Sequence, residues 1–117
     1  MITLNRITKT VKAKDYKPKG ETPTRHARAL KWADIATENK KLFAEVAEQV
    51  KSIVPDATCY AFGSRVNGTY RDDSDIDILI SGVTELEYNK IKAAIKHELN
   101  IDLKLGNEHS KQLIQIP

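Results

Sequence analysis

Residues 62–80 read Phe62-Gly63-Ser64-Arg65-Val66-Asn67-Gly68-Thr69-Tyr70-Arg71-Asp72-Asp73-Ser74-Asp75-Ile76-Asp77-Ile78-Leu79-Ile80. The last six alternate in the period of a half-buried strand. Side chains two apart on a strand share a face, so Asp75, Asp77 and Leu79 point one way and Ile76, Ile78 and Ile80 the other. The isoleucines suit a core. Two aspartates side by side on rigid backbone repel each other. A divalent hard cation removes that repulsion, and Mg²⁺ prefers carboxylate oxygens together with substrate phosphates. Alone, the pair reads as the solvated face of an edge strand; the residues upstream reverse that reading.

Thr58-Cys59-Tyr60-Ala61-Phe62 is rich in β-formers and reads as a strand that Gly63 stops. Residues 64–70 read as a short helical turn and 71–74 as a loop. A strand that ends in glycine and opens a helical turn leaves backbone N–H groups unpaired and facing outward, which is an anion site. Gly63 lets the backbone approach a phosphate closely, and the Ser64 hydroxyl adds a donor. Arg65 stands open between a phosphate contact and a surface salt bridge, and Asp72 and Asp73 read as loop charges. Downstream, Ile101-Asp102-Leu103-Lys104-Leu105 is a third strand, with Asp102 facing away from Ile101 and Leu103. If it neighbours strand 75–80, Asp102 joins the pair, and three carboxylates around one spot is a two-metal arrangement for phosphoryl transfer.

Further out, a helical pattern opens at Thr24 and is clearest at Leu42, Phe43, Val46, Ala47, Val50, Ile53 and Val54, with Pro55 ending it. Thr84-Glu85-Leu86-Glu87 fits a capping box. The helix behind it carries Tyr88, Ile91, Ile95 and Leu99 on one face. The tail offers only Leu113, Ile114 and Ile116, a short apolar cluster that reads as a docking element. The order of helices and strands predicts an α+β fold, a small mixed β-sheet packed against helices in two layers.

Gly-Ser, ten residues and then Asp-x-Asp resembles the signature of the DNA polymerase beta-like nucleotidyltransferase superfamily. Here Gly63-Ser64 is followed by 65–74 and then Asp75-Ile76-Asp77. The fuller string GSRVNGTYRDDSDIDILI is most similar to the minimal nucleotidyltransferases of bacteria and archaea, with Gly68 and Ser74 also at matching positions. The resemblance covers roughly 58–105, and residues 1–32 show no match to it. It implies the mixed-sheet fold of that superfamily and a two-metal Mg²⁺ site on Asp75, Asp77 and Asp102. It further implies a nucleoside triphosphate held by Gly63 and Ser64, with Arg65 beside them. The implied activity moves a nucleoside monophosphate, AMP from ATP first of all, to a protein or nucleic-acid hydroxyl. Minimal members often act with a helical HEPN-type partner, some as antitoxins that modify a toxin tyrosine with AMP. A protein partner, HEPN-type or a second copy, is therefore implied. The alternative is an antitoxin-like or regulatory module of the same fold that acts on a HEPN-type partner by contact; an intact carboxylate triad favours catalysis.

The 117 residues suffice for one compact domain. Net charge is +3, but residues 1–32 hold nine Lys/Arg against two acids and the remainder is net −4. We expect a basic arm and linker at 1–23, ending in the breaker Lys17-Pro18-Lys19-Gly20-Glu21-Thr22-Pro23, and the catalytic domain at 24–117. The basic residues of 1–32 suit either a solvated segment or a nucleic-acid contact, and Tyr16 and Trp32 among them either stack on bases or pack locally. Cys59 is the single cysteine and reads as a small buried hydrophobe, which excludes an intrachain disulfide. His26, His97 and His109 read as surface residues. No apolar run reaches the roughly 20 residues of a membrane span, and no apolar segment marks a signal peptide. The expectation is a cytoplasmic protein with no membrane partner.

Overall fold

The computed structural model describes residues 27–106 and 113–117. The expected arm and linker at 1–23 and the start of the expected domain at 24 lie outside the described residues, as do Tyr16, His26 and His109.

Helix α1 (Thr37–Ile53) buries Asn39, Phe43, Val46, Ala47 and Val50 along one face. Spacings of three and four make this an amphipathic stripe. It begins at Thr37, later than the pattern opening at Thr24 suggests. The reason is local. The Asp34 carboxylate accepts from the amides of Leu30 at 3.1 Å and Lys31 at 3.3 Å, diverting them into a short 3₁₀ turn at Trp32–Asp34. Ahead of that turn, Ala29 donates its amide to the Val66 carbonyl at 2.8 Å, and Trp32 packs against the core.

Strands β1 (Thr58–Phe62) and β2 (Ile76–Ser81) pair antiparallel, flanking the short helix α2 (Ser64–Asn67). Strand β3 (Ile101–Leu105) runs parallel to β2, and β4 (Ile114–Gln115) pairs antiparallel with β1. The sheet order is β3-β2-β1-β4, a four-stranded mixed sheet packed against helices, which is the expected α+β class. Strand β2 is central, so Asp77 does not sit on an edge strand, and Asp75, expected on the same strand, falls in the loop just before it. Ile76, Ile78 and Ile80 are fully buried among Cys59, Ala61 and the α1 residues Phe43, Val46 and Val50. Cys59 is 0% exposed, and burial pushes its thiol up to about 11, so it behaves as the inert hydrophobe expected.

Helix α3 (Glu85–Ala94) starts with the expected capping box: Glu87 donates its amide to Thr84 Oγ1 at 3.1 Å and returns Oε1 to the Thr84 amide at 2.8 Å. It ends before Ile95 and Leu99. Gln49 of α1 takes both backbone groups of Lys96, donating to its carbonyl at 2.9 Å and accepting from its amide at 3.0 Å. That clamp peels the chain off the helix axis while Ile95 and Leu99 still pack against the core. His97 is not the surface residue expected, since its side chain is 14% exposed and its Nε2 lies 3.2 Å from Glu45 Oε1.

The apolar tail is likewise not a docking element. Ile114 and Ile116 are 6% and 1% exposed, and Ile116 donates its amide to the Cys59 carbonyl at 2.9 Å. The tail completes the sheet beside β1 instead of waiting for another chain.

Candidate active site

Gly63 closes β1 with φ +86° and ψ −162°, a backbone open to glycine. A side chain there has no room either. A Cβ on Gly63 collides with the Asp77 carboxylate, with Asp77 Cγ only 2.6 Å away. The turn and the carboxylate are therefore in direct apposition. Beyond it, the amides of Val66 and Asn67 close on the Gly63 carbonyl at 3.0 and 2.9 Å, and those of Gly68 and Thr69 on Ser64 at 2.9 and 3.1 Å. A helix start leaves its first amides, here Ser64 and Arg65, without an intrahelical acceptor.

The β2–β3 register makes Asp77 and Asp102 direct partners, one on each of two parallel neighbouring strands. Phe62 of β1 faces Asp77 from the other side. Asp77 is pushed up to about 6, first by burial, then by the charge of Asp102 and a hydrogen bond with it, and then by Asp75. The proximity of Asp102 thus raises the cost of charging Asp77. Lys104, whose Nζ lies 3.6 Å from Asp102 Oδ1, pulls Asp77 the other way. Asp75 stands apart: β2 begins at Ile76, so Asp75 belongs to the preceding loop and is exposed. Among the described residues no three His, Cys, Asp or Glu side chains are gathered tightly enough to ligate one ion as they stand. The donor set nevertheless fits a hard divalent cation. Asp77 and Asp102 are register partners and Asp75 adds its charge nearby, and a cluster of carboxylate oxygens whose mutual repulsion a cation relieves is what such an ion takes.

Arg65 is 4% exposed, and its guanidinium points inward. It donates to Asn39 Oδ1 at 2.6 Å, to the Ser74 carbonyl at 2.9 and 3.3 Å and to the Asp72 carbonyl at 3.1 Å, over the Tyr70 ring at 5.4 Å. Sequence alone leaves Arg65 between a phosphate contact and a surface salt bridge; the structure turns its guanidinium inward onto neutral acceptors, away from a surface ion pair. Tyr70 in turn donates to Glu38 Oε2 at 2.8 Å, and burial first, then this bond, pushes its phenol up to about 12. Sequence reasoning missed Asn39, a fully buried amide one turn before Phe43 on the core face of α1. A polar residue on an apolar stripe was the one signal available.

The family model for a nucleotidyltransferase domain matches residues 43–112, more than half of the chain, and spans Gly63, Ser64, Asp75, Asp77 and Asp102. Comparison with curated proteins finds no match. No helix among the described residues is long and apolar enough to cross a membrane.

Proposed function

The chain belongs to the nucleotidyltransferase domain family, in the polymerase beta-like superfamily that includes the minimal nucleotidyltransferases, and is an enzyme of that class; we propose that it transfers AMP from ATP, with Mg²⁺, to a protein or nucleic-acid hydroxyl. In this reading Asp75 and Asp77 hold the metal ions, and Asp102 completes the site beside the acceptor. Bound there, Mg²⁺ supplies neutralisation of charge on the phosphate oxygens. Gly63 and Ser64 hold the β- and γ-phosphates. Asp102 takes the proton of the acceptor hydroxyl as its oxygen bonds to the α-phosphorus. The bond from the α-phosphorus to the bridging oxygen breaks, and pyrophosphate leaves.

The observation that carries this reading is one apposition. The Gly63 backbone lies against the Asp77 carboxylate, and Asp77 is the register partner of Asp102. A phosphate-binding turn and a carboxylate pair within contact of each other suit a metal-bound triphosphate better than either does alone. The acceptor hydroxyl must stand in line with the α-phosphate at about 3–3.5 Å. The helices α1 and α3 pack on the isoleucine face of β2, and Asp77 and Asp102 stand half-buried on the other. A second chain, HEPN-type or another copy, is the proposed source of that alignment.

Incubation with each triphosphate and Mg²⁺, with and without lysate, tests the reading. The α-label of ATP is expected on a macromolecule, with the γ-label released in pyrophosphate. Transfer of the γ-label instead, or of no label from any nucleotide, contradicts it.

A further inference from the structure

One buried charge beside this site takes no part in the transfer described above. The Arg65 guanidinium joins three pieces of chain: α2, α1 and the loop ahead of β2. Arg65 itself follows Ser64 in α2. Its Nη1 reaches α1 at Asn39 Oδ1, 2.6 Å away, and its Nη2 and Nε reach the carbonyls of Asp72 and Ser74 at 2.9–3.3 Å. We propose that Arg65 is a positioning residue, a strut that fixes the loop carrying Asp75 against the phosphate turn, an inference that stands on the metal reading of Asp75 and Asp77.

The loop has few other ties. Its own turn is closed by the Arg71 amide on Ser74 Oγ at 2.7 Å and the Ser74 amide on the Arg71 carbonyl at 3.0 Å. Asp72 and Asp73 are exposed, and the loop ends where Ile76 opens β2 and donates its amide to the Asn100 carbonyl, just ahead of β3, at 2.9 Å. Asp75 lies between those anchors, so its backbone is set by Ser74 on one side and Ile76 on the other. Ser74 is held by Arg65. The acceptors are neutral carbonyls and an amide, and the planar fork satisfies three of them from one side chain while stacking on Tyr70. Burial draws the Arg65 pKa downward, against the pull of Tyr70, Asp72, Asp77 and Glu38. A role on the triphosphate would require this fork to leave all three acceptors unpaired.

Arg65→Lys separates the possibilities, because one ammonium cannot span Asn39, Asp72 and Ser74. The probe is Mn²⁺ titrated without nucleotide by electron paramagnetic resonance, alongside steady-state kinetics and thermal melting. Partners one step behind a metal ligand are worth roughly 10–100-fold in metal affinity, so Mn²⁺ binding is expected to weaken by about tenfold or more. The KM for triphosphate at saturating Mn²⁺ should stay within about twofold. Unchanged Mn²⁺ affinity with a raised KM would make Arg65 a phosphate contact and overturn the strut. Unchanged Mn²⁺ affinity and KM with only a lower melting temperature would make it merely structural, and also overturn it. Should Arg65→Lys fail to fold, Asn39→Ala frees the outer anchor while leaving the carbonyl bonds. Faster amide exchange at 74–77 and weaker Mn²⁺ binding are then expected, and no change in either overturns the proposal. Asp77→Asn is the control: Mn²⁺ binding that survives it sinks the metal reading and the strut together, whereas binding lost there but intact in Arg65→Lys sinks the strut alone.

Discussion

Gly63 meets two constraints at one atom: a left-handed φ of +86° and the Asp77 carboxylate where a Cβ would stand. Gly63→Ala is therefore expected to cost roughly 1–3 kcal/mol of stability and, by pushing Asp77 off its partner, to remove turnover. Melting curves and label transfer check both, and a variant that melts with wild type contradicts the account. Asp77 gives a pH prediction. Its folded pKa, about 6, lies above its ordinary 3.8. The native state then binds more protons than the unfolded one between those values, so metal-free stability falls as pH rises from about 4 to about 6 and is flat beyond. Asp77→Asn should erase that slope, melt above wild type at pH 7 in EDTA, and show no turnover. An Asp77→Asn protein that melts below wild type at pH 7 in EDTA would refute this. For Asp102→Asn, loss of a proton acceptor predicts a fall in kcat of about 10²–10⁴-fold, with far less change in nucleotide affinity. The reverse pattern would move Asp102 from the acceptor to the triphosphate. Asp75, read as part of β2, lies in the loop before it, whereas the apposition of Gly63, Asp77 and Asp102 was legible because strand alternation and a fixed spacing mark them locally. The inward turn of Arg65 was not, since its acceptor Asn39 lies 26 residues away and burial of a charge is decided by tertiary packing.

At the scale of elements, β4 is the unexpected part. Two residues carry no periodicity, so Ile114 and Ile116 read as an exposed cluster when they are core. Ile116→Ala is expected to cost about 2–5 kcal/mol, measured by denaturant unfolding. Removing 113–117 should destabilise the fold further, because it also strips β1 of its β4 partner. A truncated chain with wild-type stability would return the tail to a docking role. The strands β1, β2 and β3 were readable to within a residue, because β-branched and aromatic runs between turn residues leave little choice of register. The C-terminal end of α3 was not. Tyr88, Ile91, Ile95 and Leu99 keep a helical spacing, and only the Gln49 clamp on Lys96, a contact 47 residues apart in sequence, ends the helix at Ala94.

For the whole molecule, a basic N-terminal quarter and a net-negative remainder predict a division of labour. We propose that residues 1–23 add little to the stability of the domain at 24–117. Deleting 1–22 is expected to leave the melting temperature nearly unchanged and to weaken binding to RNA or DNA, a binding that itself falls steeply with salt as counterions are released. Slow amide exchange within the arm would contradict that division. The central claim is narrower: the carboxylates around Asp77 act through a divalent cation on a triphosphate held at Gly63-Ser64. Equilibrium binding of ATP to the full chain, titrated once in Mg²⁺ and once in EDTA, tests it most directly. The account predicts affinity in Mg²⁺ that collapses in EDTA; equal affinity under both conditions would contradict it.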